Sequence, residues 1–363
     1  MFKLNLQLFT NHVNVTTDVR SAGQTYPSYN DLSAEMKTFY DMTLIDEAGP
    51  MLVHDQFGQK RPIPPNGGKT IEFRKFTNLP KALTALTEGV TPDGKRLDVT
   101  SLTATVAQYG DYITQSDVLE LTAIDNTIVE ATKLLGRQAG LTLDTITRNV
   151  LVAGTNVNYC PTISGSTETV VTSRGNLNAT SQLSVKNIQR AVAKLRANNV
   201  PTINGKYVAI IHPYVAFDLM RDPEWVNAHQ YAQPRELYEG EIGEIAGVRF
   251  VETSEAKIWK DADGTTGSAA VDGTPEYDST NHKHLAVFAT LVMGQGAYGV
   301  TEINGGGLQT IVKQKGSAGT ADPLDQRSSV GWKALKVAEI LIPNYLVRIE
   351  SCSAEYSKTA AAN

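Results

Sequence analysis

A chain of 363 residues, 41% hydrophobic and 20% charged, has the composition of an ordinary folded protein and the length for one extended domain or two to three smaller ones. Its 38 acidic residues outnumber its 33 basic ones, giving a formal charge of -5, so it lacks the basic excess by which a nucleic-acid-gripping protein neutralises phosphates. The two cysteines, Cys160 and Cys352, have no sequence neighbour to form a metal or redox pair and read as free thiols in a reducing compartment. No run approaches the ~20 apolar residues of a membrane helix, so no membrane partner is expected.

Met1 to Thr10 alternates apolar and polar residues, the pattern of a short strand or docking arm and not of a signal peptide, and residues 10 to 30 read as a flexible arm. Without secretion, the sequons at Asn14 and Asn178 are expected to carry no sugar. Leu32, Met36, Phe39, Tyr40 and Leu44 recur at helical spacing, predicting a helix from about Asp31 to Ala48, ended by Gly49-Pro50. Thr70 to Arg74 alternates, and Leu97 to Ile113 is rich in Thr, Val and Tyr; these read as two antiparallel strands. The connection between them, Leu79 to Arg96, is far longer than a hairpin turn and carries the turn signal Thr91-Pro92-Asp93-Gly94. A two-stranded ribbon is only marginally stable alone, so this arm is best explained by another subunit beneath it. The cations Lys81, Lys95 and Arg96 on its tip are the candidate inter-subunit contacts.

Ser116 and Asp117 open the longest predicted element. Val118, Leu121, Ile124, Ile128, Ala131, Leu135, Ala139, Ile146 and Val150 follow helical spacing, a rod of about 50 Å. Residues 155 to 182, dominated by Ser, Thr, Asn and Gly, mark a surface loop or a domain boundary. Helix and strand then alternate: Ser184 caps a helix bearing Val185, Ile188, Val192 and Leu195, Lys206 to Ile211 is a buried strand, and His212-Pro213 opens another helix. A second polar excursion, Asp261 to Asn281, precedes a strand at 285 to 293, and Ser329 to Glu350 holds extended segments split by Pro343-Asn344.

The motifs with chemical meaning fail on inspection. Gly294-Gln295-Gly296-Ala297-Tyr298-Gly299 matches a dinucleotide fingerprint, but Val300 to Asn304 and then Gly305-Gly306-Gly307 follow, which cannot begin a stable phosphate-binding helix, so turns and close backbone packing are expected. Gly68-Lys69-Thr70 lacks the first glycine of a phosphate loop, position 63 being Ile63. His282-Lys283-His284 reads as a solvated loop and Asp261-Ala262-Asp263-Gly264 as an ordinary turn, each lacking the remaining metal ligands. The six histidines have no evident base and orienter partners. No catalytic, cofactor-binding or metal-binding residues are assigned.

Long arm, spine helix, inserted α/β region and returning strands, in that order, resemble the tailed-phage major capsid fold named after phage Hong Kong 97, an α+β architecture. The local sequence is more specific. Tyr207-Val208-Ala209-Ile210-Ile211-His212-Pro213, Asp218-Leu219, Asp222-Pro223-Glu224-Trp225 and Gly240 to Thr253 resemble the major capsid proteins typified by that of coliphage N-four, and Leu4 to Phe9 is similar to the start of many phage capsid proteins. The resemblance implies six segments: an N-terminal arm (1-30), an N-terminal helix and connection (31-68), an extended loop (69-115), a peripheral domain with the spine helix (116-182), an axial domain (183-325), and return strands with a C-terminal tail (326-363).

It further implies a structural protein without catalysis or cofactors. Copies would form pentamers and hexamers, close into an icosahedral virion head and enclose double-stranded DNA contacted non-specifically. Scaffold, portal and decoration proteins would be partners, and assembly would take place in the host cytoplasm. Three other readings compete: an encapsulin-like nanocompartment, separated by the particle's contents; a nicotinamide-dependent oxidoreductase, motivated only by the 294 to 299 glycines; and a decoration or tail protein that assembles on existing particles.

Overall fold

The computed structural model describes residues 13-14, 52-62, 70-76, 79, 81-86, 88-89, 91, 93-122, 127-165, 167-230, 243-261, 276-278, 283-301, 308-313, 315-317 and 322-363. The N-terminal helix predicted at 31 to 48 lies outside them, as do His282 and residues 262 to 264. The chain divides into two compact units. One takes 1-52, 107-144 and 302-336; the other takes 53-106, 145-301 and 337-363.

The first unit is built on an antiparallel sheet. Its strand Arg327–Lys336 lies between Ala107–Ser116 and Leu308–Lys313, and Val13–Asn14 adds in parallel to the outer edge of Ala107–Ser116. Strict alternation along the middle strand buries Ser328, Val330, Trp332, Ala334 and Lys336 on one face. On that face the Trp332 indole N–H donates to Gln138 Oε1 (3.3 Å), and Gln138 Nε2 donates to Asp111 (2.7 Å), joining sheet to helix.

The predicted spine is present as Asp117–Thr122 and Thr127–Val152, with 123 to 126 outside the described residues. Ser116 Oγ accepts the Leu119 N–H, and Asp117 and Glu120 occupy the first turn, where the helix dipole favours negative charge. The buried stripe differs from the predicted one. Val118 and Leu121 are exposed while Leu119 is buried, and the long helix buries Ala131, Leu135, Ala139, Leu143 and Leu151. Extrapolating one 3.6-residue phase backwards from the long helix assigned the first turn to the wrong face.

The second unit has a mixed sheet in the order Glu244–Ile245, Val248–Glu252, Tyr207–Ile211, Val287–Met293, Leu346–Cys352, Val157–Tyr159. Val248–Glu252 runs parallel to Tyr207–Ile211, and Val287–Met293 runs antiparallel to both its neighbours. Both central strands are buried at every position because both faces are covered. One face packs Ala209, Ile211, Phe288 and Val292 against the helix Val185–Ala197 and the helix Pro213–Met220. The other packs Val208, Ile210, Leu291 and Met293 against Leu151, Leu177 and Tyr298.

The helix starts show how caps are assigned. Ser184 occupies the N-cap of Val185–Ala197 but makes no capping bond; the Val185 N–H instead donates to Asp222 Oδ2 (2.9 Å). Asp222 Oδ1 also accepts the Glu224 N–H (3.0 Å), so one carboxylate satisfies the openings of two helices. His212, as predicted, opens Pro213–Met220, its Nδ1 accepting the Tyr214 N–H at 3.2 Å.

The first polar excursion is not merely a surface loop. It supplies the edge strand Val157–Tyr159 and the hairpin Thr162–Ser164/Thr167–Thr169, and it buries Cys160, Val171, Leu177 and Ser181. From its short 3-10 turn, Arg174 grips the fully buried Glu350 with Nε–Oε2 at 2.7 Å and Nη2–Oε1 at 3.0 Å. Arg348 Nε lies 2.9 Å from the same carboxylate, and Arg174 stacks 3.7 Å above Trp259. His284 is likewise a buried strand residue 4.0 Å from Asp261, not a solvated one, because alternation turns Lys283 outward and His284 inward.

Candidate assembly surfaces

The predicted arm is present, with one correction. Thr70–Phe76 pairs antiparallel with Val99–Thr105, from Thr70 opposite Thr105 to Phe76 opposite Val99. The second extended run is not one strand but two: it breaks at Val106, after which Ala107–Ser116 joins the sheet of the first unit. A single composition-rich run cannot reveal a change of partner at its middle.

The arm's base is fixed by close packing. Phe73 is buried, and a Cβ added to Gly299 would lie 2.4 Å from its ring. This resolves the Gly-x-Gly-x-x-Gly motif. It leads from the strand Val287–Met293 into the strand Tyr298–Thr301, where a dinucleotide site needs the start of a helix. Gly294 admits Val200 and the Pro201 carbonyl, which a Cβ would meet at 2.3 and 2.6 Å, and Gly296 turns at φ +74.

Toward the tip the situation reverses. Every described residue from 79 to 98 is exposed. The turn at Glu88-Gly89 uses Gly89 at φ 78, whereas Asp93 and Gly94 of the predicted turn are not in one. Lys81, Lys95 and Arg96 are exposed, and none has an ion-pair partner among the described residues. Sequence reasoning weighed these cations and passed over the apolar side chains beside them. Leu79, Leu83, Leu86, Leu97 and Val99 are all solvent-facing, Leu83 at 86% and Leu86 at 75%. The signal was in the sequence: a leucine-bearing segment with neither helical nor strand period has no internal face on which to hide.

A second surface is the open face of the first unit's sheet. Register puts Tyr112, Gly331 and Ile311 in one row across three strands, so a missing side chain lies between two exposed apolar ones. The next rows carry Lys333 on one side and Lys313 on the other. Together they form an open groove of about 540 Å³.

No cluster of three or more His, Cys, Asp or Glu able to hold a metal occurs among the described residues. Both thiols are buried and free; burial pushes Cys352 up to about 12 and raises Cys160 as well, so neither is a nucleophile near neutral pH. Burial likewise raises Asp218 and Glu252.

The phage capsid protein family model matches residues 100–318, more than half of the chain. Among solved structures, the capsid of cyanophage P-SCSP1u aligns at 15% identity and TM-score 0.57 over 96% of this chain and 98% of that one. The cyanophage Pam1 capsid gives 15% and 0.61 over 93% and 98%, and the capsid of Ralstonia phage GP4 gives 13% and 0.58 over 92% and 98%. No curated protein matches. With that family match, the chain belongs to the phage capsid protein family, as a non-enzymatic major capsid protein that self-associates into the shell of the phage head.

Proposed function

We propose that this subunit adopts the Hong Kong 97-like form of the capsid fold and builds an icosahedral head from pentamers and hexamers around double-stranded DNA. In this reading 1-30 is an N-terminal arm, 31-68 the N-terminal helix and connection, and 69-115 the extended loop. The peripheral domain with the spine helix is 116-182, the inserted axial domain 183-325, and 326-363 the return strands and tail. The observation that carries the reading is the arm itself: anchored at Phe73 by close packing, exposed at every described position from 79 to 98, and so built to be covered by a neighbour.

Lys81, Lys95 and Arg96 contact acidic groups of that neighbour, each exposed pair worth about 0–1 kcal/mol, so strength comes from repetition around a closed shell. The formal charge of -5 suits a container that meets DNA non-specifically. Scaffold, portal and decoration proteins take part, and assembly takes place in the host cytoplasm. Deletion of residues 79 to 96 tests this. Electron microscopy should show folded subunits that no longer close into shells, while the intact chain, with its scaffold, closes. Normal shells from the deletion overturn the role given to the arm.

A further inference from the structure

The arm tip carries exposed leucines followed by one carboxylate, and the sheet groove has an apolar slot beside two lysines. We propose that Leu83 and Leu86 of one copy seat in the slot above Gly331 of a second copy, between Tyr112 and Ile311, with Glu88 reaching Lys333. This rests on the reading of the chain as a shell subunit and goes beyond it by naming the receiving surface and making the tip's anchor apolar.

The slot arises from register: Gly331 pairs with Tyr112 on one side and Ile311 on the other, and both flanking side chains are exposed, Tyr112 at 56% and Ile311 at 39%. On the arm, Leu83 and Leu86 precede Glu88 by five and two residues, and all three are exposed. The arm thus offers two isobutyl groups followed by a carboxylate, and the groove offers an apolar slot bordered by the ammonium groups of Lys333 and Lys313. The area involved is far below the roughly 1,000 Å² that a stable pair of free proteins requires. An occupant presented at high local concentration is therefore needed, which a neighbouring copy in a closed shell provides and a freely diffusing protein does not.

The test is cysteine pairing between separately labelled chains. Cys160 and Cys352 are buried, so the background thiols are protected. A differently tagged Leu86→Cys chain and Ile311→Cys chain are co-assembled with the scaffold and oxidised. The proposal expects a heterodimer band on a non-reducing gel, at least tenfold above that of a mixture in which Ile311→Cys is replaced by Ser164→Cys, a hairpin position in the other unit. A second arm reverses charge: Glu88→Lys and Lys333→Glu should each lower shell yield several-fold, and the two together should restore it. Closed shells from unmodified chains without the heterodimer or the rescue overturn the docking but leave the shell function standing. A crosslink found only when both cysteines occupy one chain also overturns it, because the arm then occupies its own groove. If the unmodified chain forms no shell under any condition, the proposed function falls and takes the docking with it.

Discussion

Gly299→Ala is the sharpest test of how the arm is held. The new Cβ would lie 2.4 Å from Cε1, 2.8 Å from Cζ and 3.0 Å from Cδ1 of Phe73, well inside contact distance. The ring cannot swing outward freely, because Phe73 is buried in the middle of a seven-residue strand whose register with Leu102 is fixed. Relief requires an off-rotamer ring or a displaced strand, and overpacking of this kind costs about 1–3 kcal/mol. Phe73→Ala alone leaves a cavity and costs about 3–5 kcal/mol. The double variant replaces ring and hydrogen by two methyl groups and should be more stable than the sum of the single losses predicts, by at least about 1 kcal/mol. Urea unfolding of the full-length subunit, followed through its three tryptophans, measures all four corners of the cycle. Additivity within about 0.3 kcal/mol, or a neutral Gly299→Ala, would refute the claim that this glycine exists to admit Phe73.

Two other perturbations follow from buried charge. Glu350→Ala removes the carboxylate between Arg174 and Arg348 and leaves two guanidiniums facing each other in the interior, so the unfolding free energy should fall by about 3–5 kcal/mol in the same assay; a loss under about 1 kcal/mol would show that the carboxylate does not hold the polar excursion to the sheet. His212 titrates at about 4 because burial disfavours its charged form, below the ordinary 6.5. The unfolded chain therefore takes up a proton that the folded chain refuses, and its contribution, complete above about pH 6.5, is lost as pH falls to about 4, by about 1–3 kcal/mol. His212→Asn keeps a capping acceptor and should flatten that part of the stability–pH curve; an unchanged curve would remove His212 from the account.

Legibility in the sequence followed period and failed with context. The buried run Tyr207–Ile211, the helix Val185–Ala197 and the opening at His212-Pro213 were readable because local pattern and tertiary burial agree there. The break at Val106 was not, since both halves have strand composition and only their partners differ. Arg174 and Ser181 were hidden in a polar stretch because their burial depends on Glu350 and on the Cys352 N–H, roughly 170 residues away, which donates to the Ser181 carbonyl. Asp222 rather than Ser184 caps Val185–Ala197 for the same reason: a side chain 37 residues on arrives with better charge than the local hydroxyl. On the arm, the cations were easy to see and the leucines were passed over, though exposure makes them the greater departure from a self-contained fold.

That departure bears on assembly. A ribbon of two strands is marginal alone, and among the described residues its base is held by close packing, Phe73 against Gly299, while 79 to 98 are exposed. Folding the tip inward would require a larger groove within the same subunit and would leave nothing apolar to present. Holding the base rigidly while leaving Leu79, Leu83, Leu86 and Leu97 in water keeps the unsatisfied surface at one defined place. Each free subunit carries that cost, and the proposed contact with another copy would remove it. Because a closed shell removes it for every copy while an open fragment leaves rim arms uncovered, the same feature that weakens the single chain favours completion of the shell over partial assemblies.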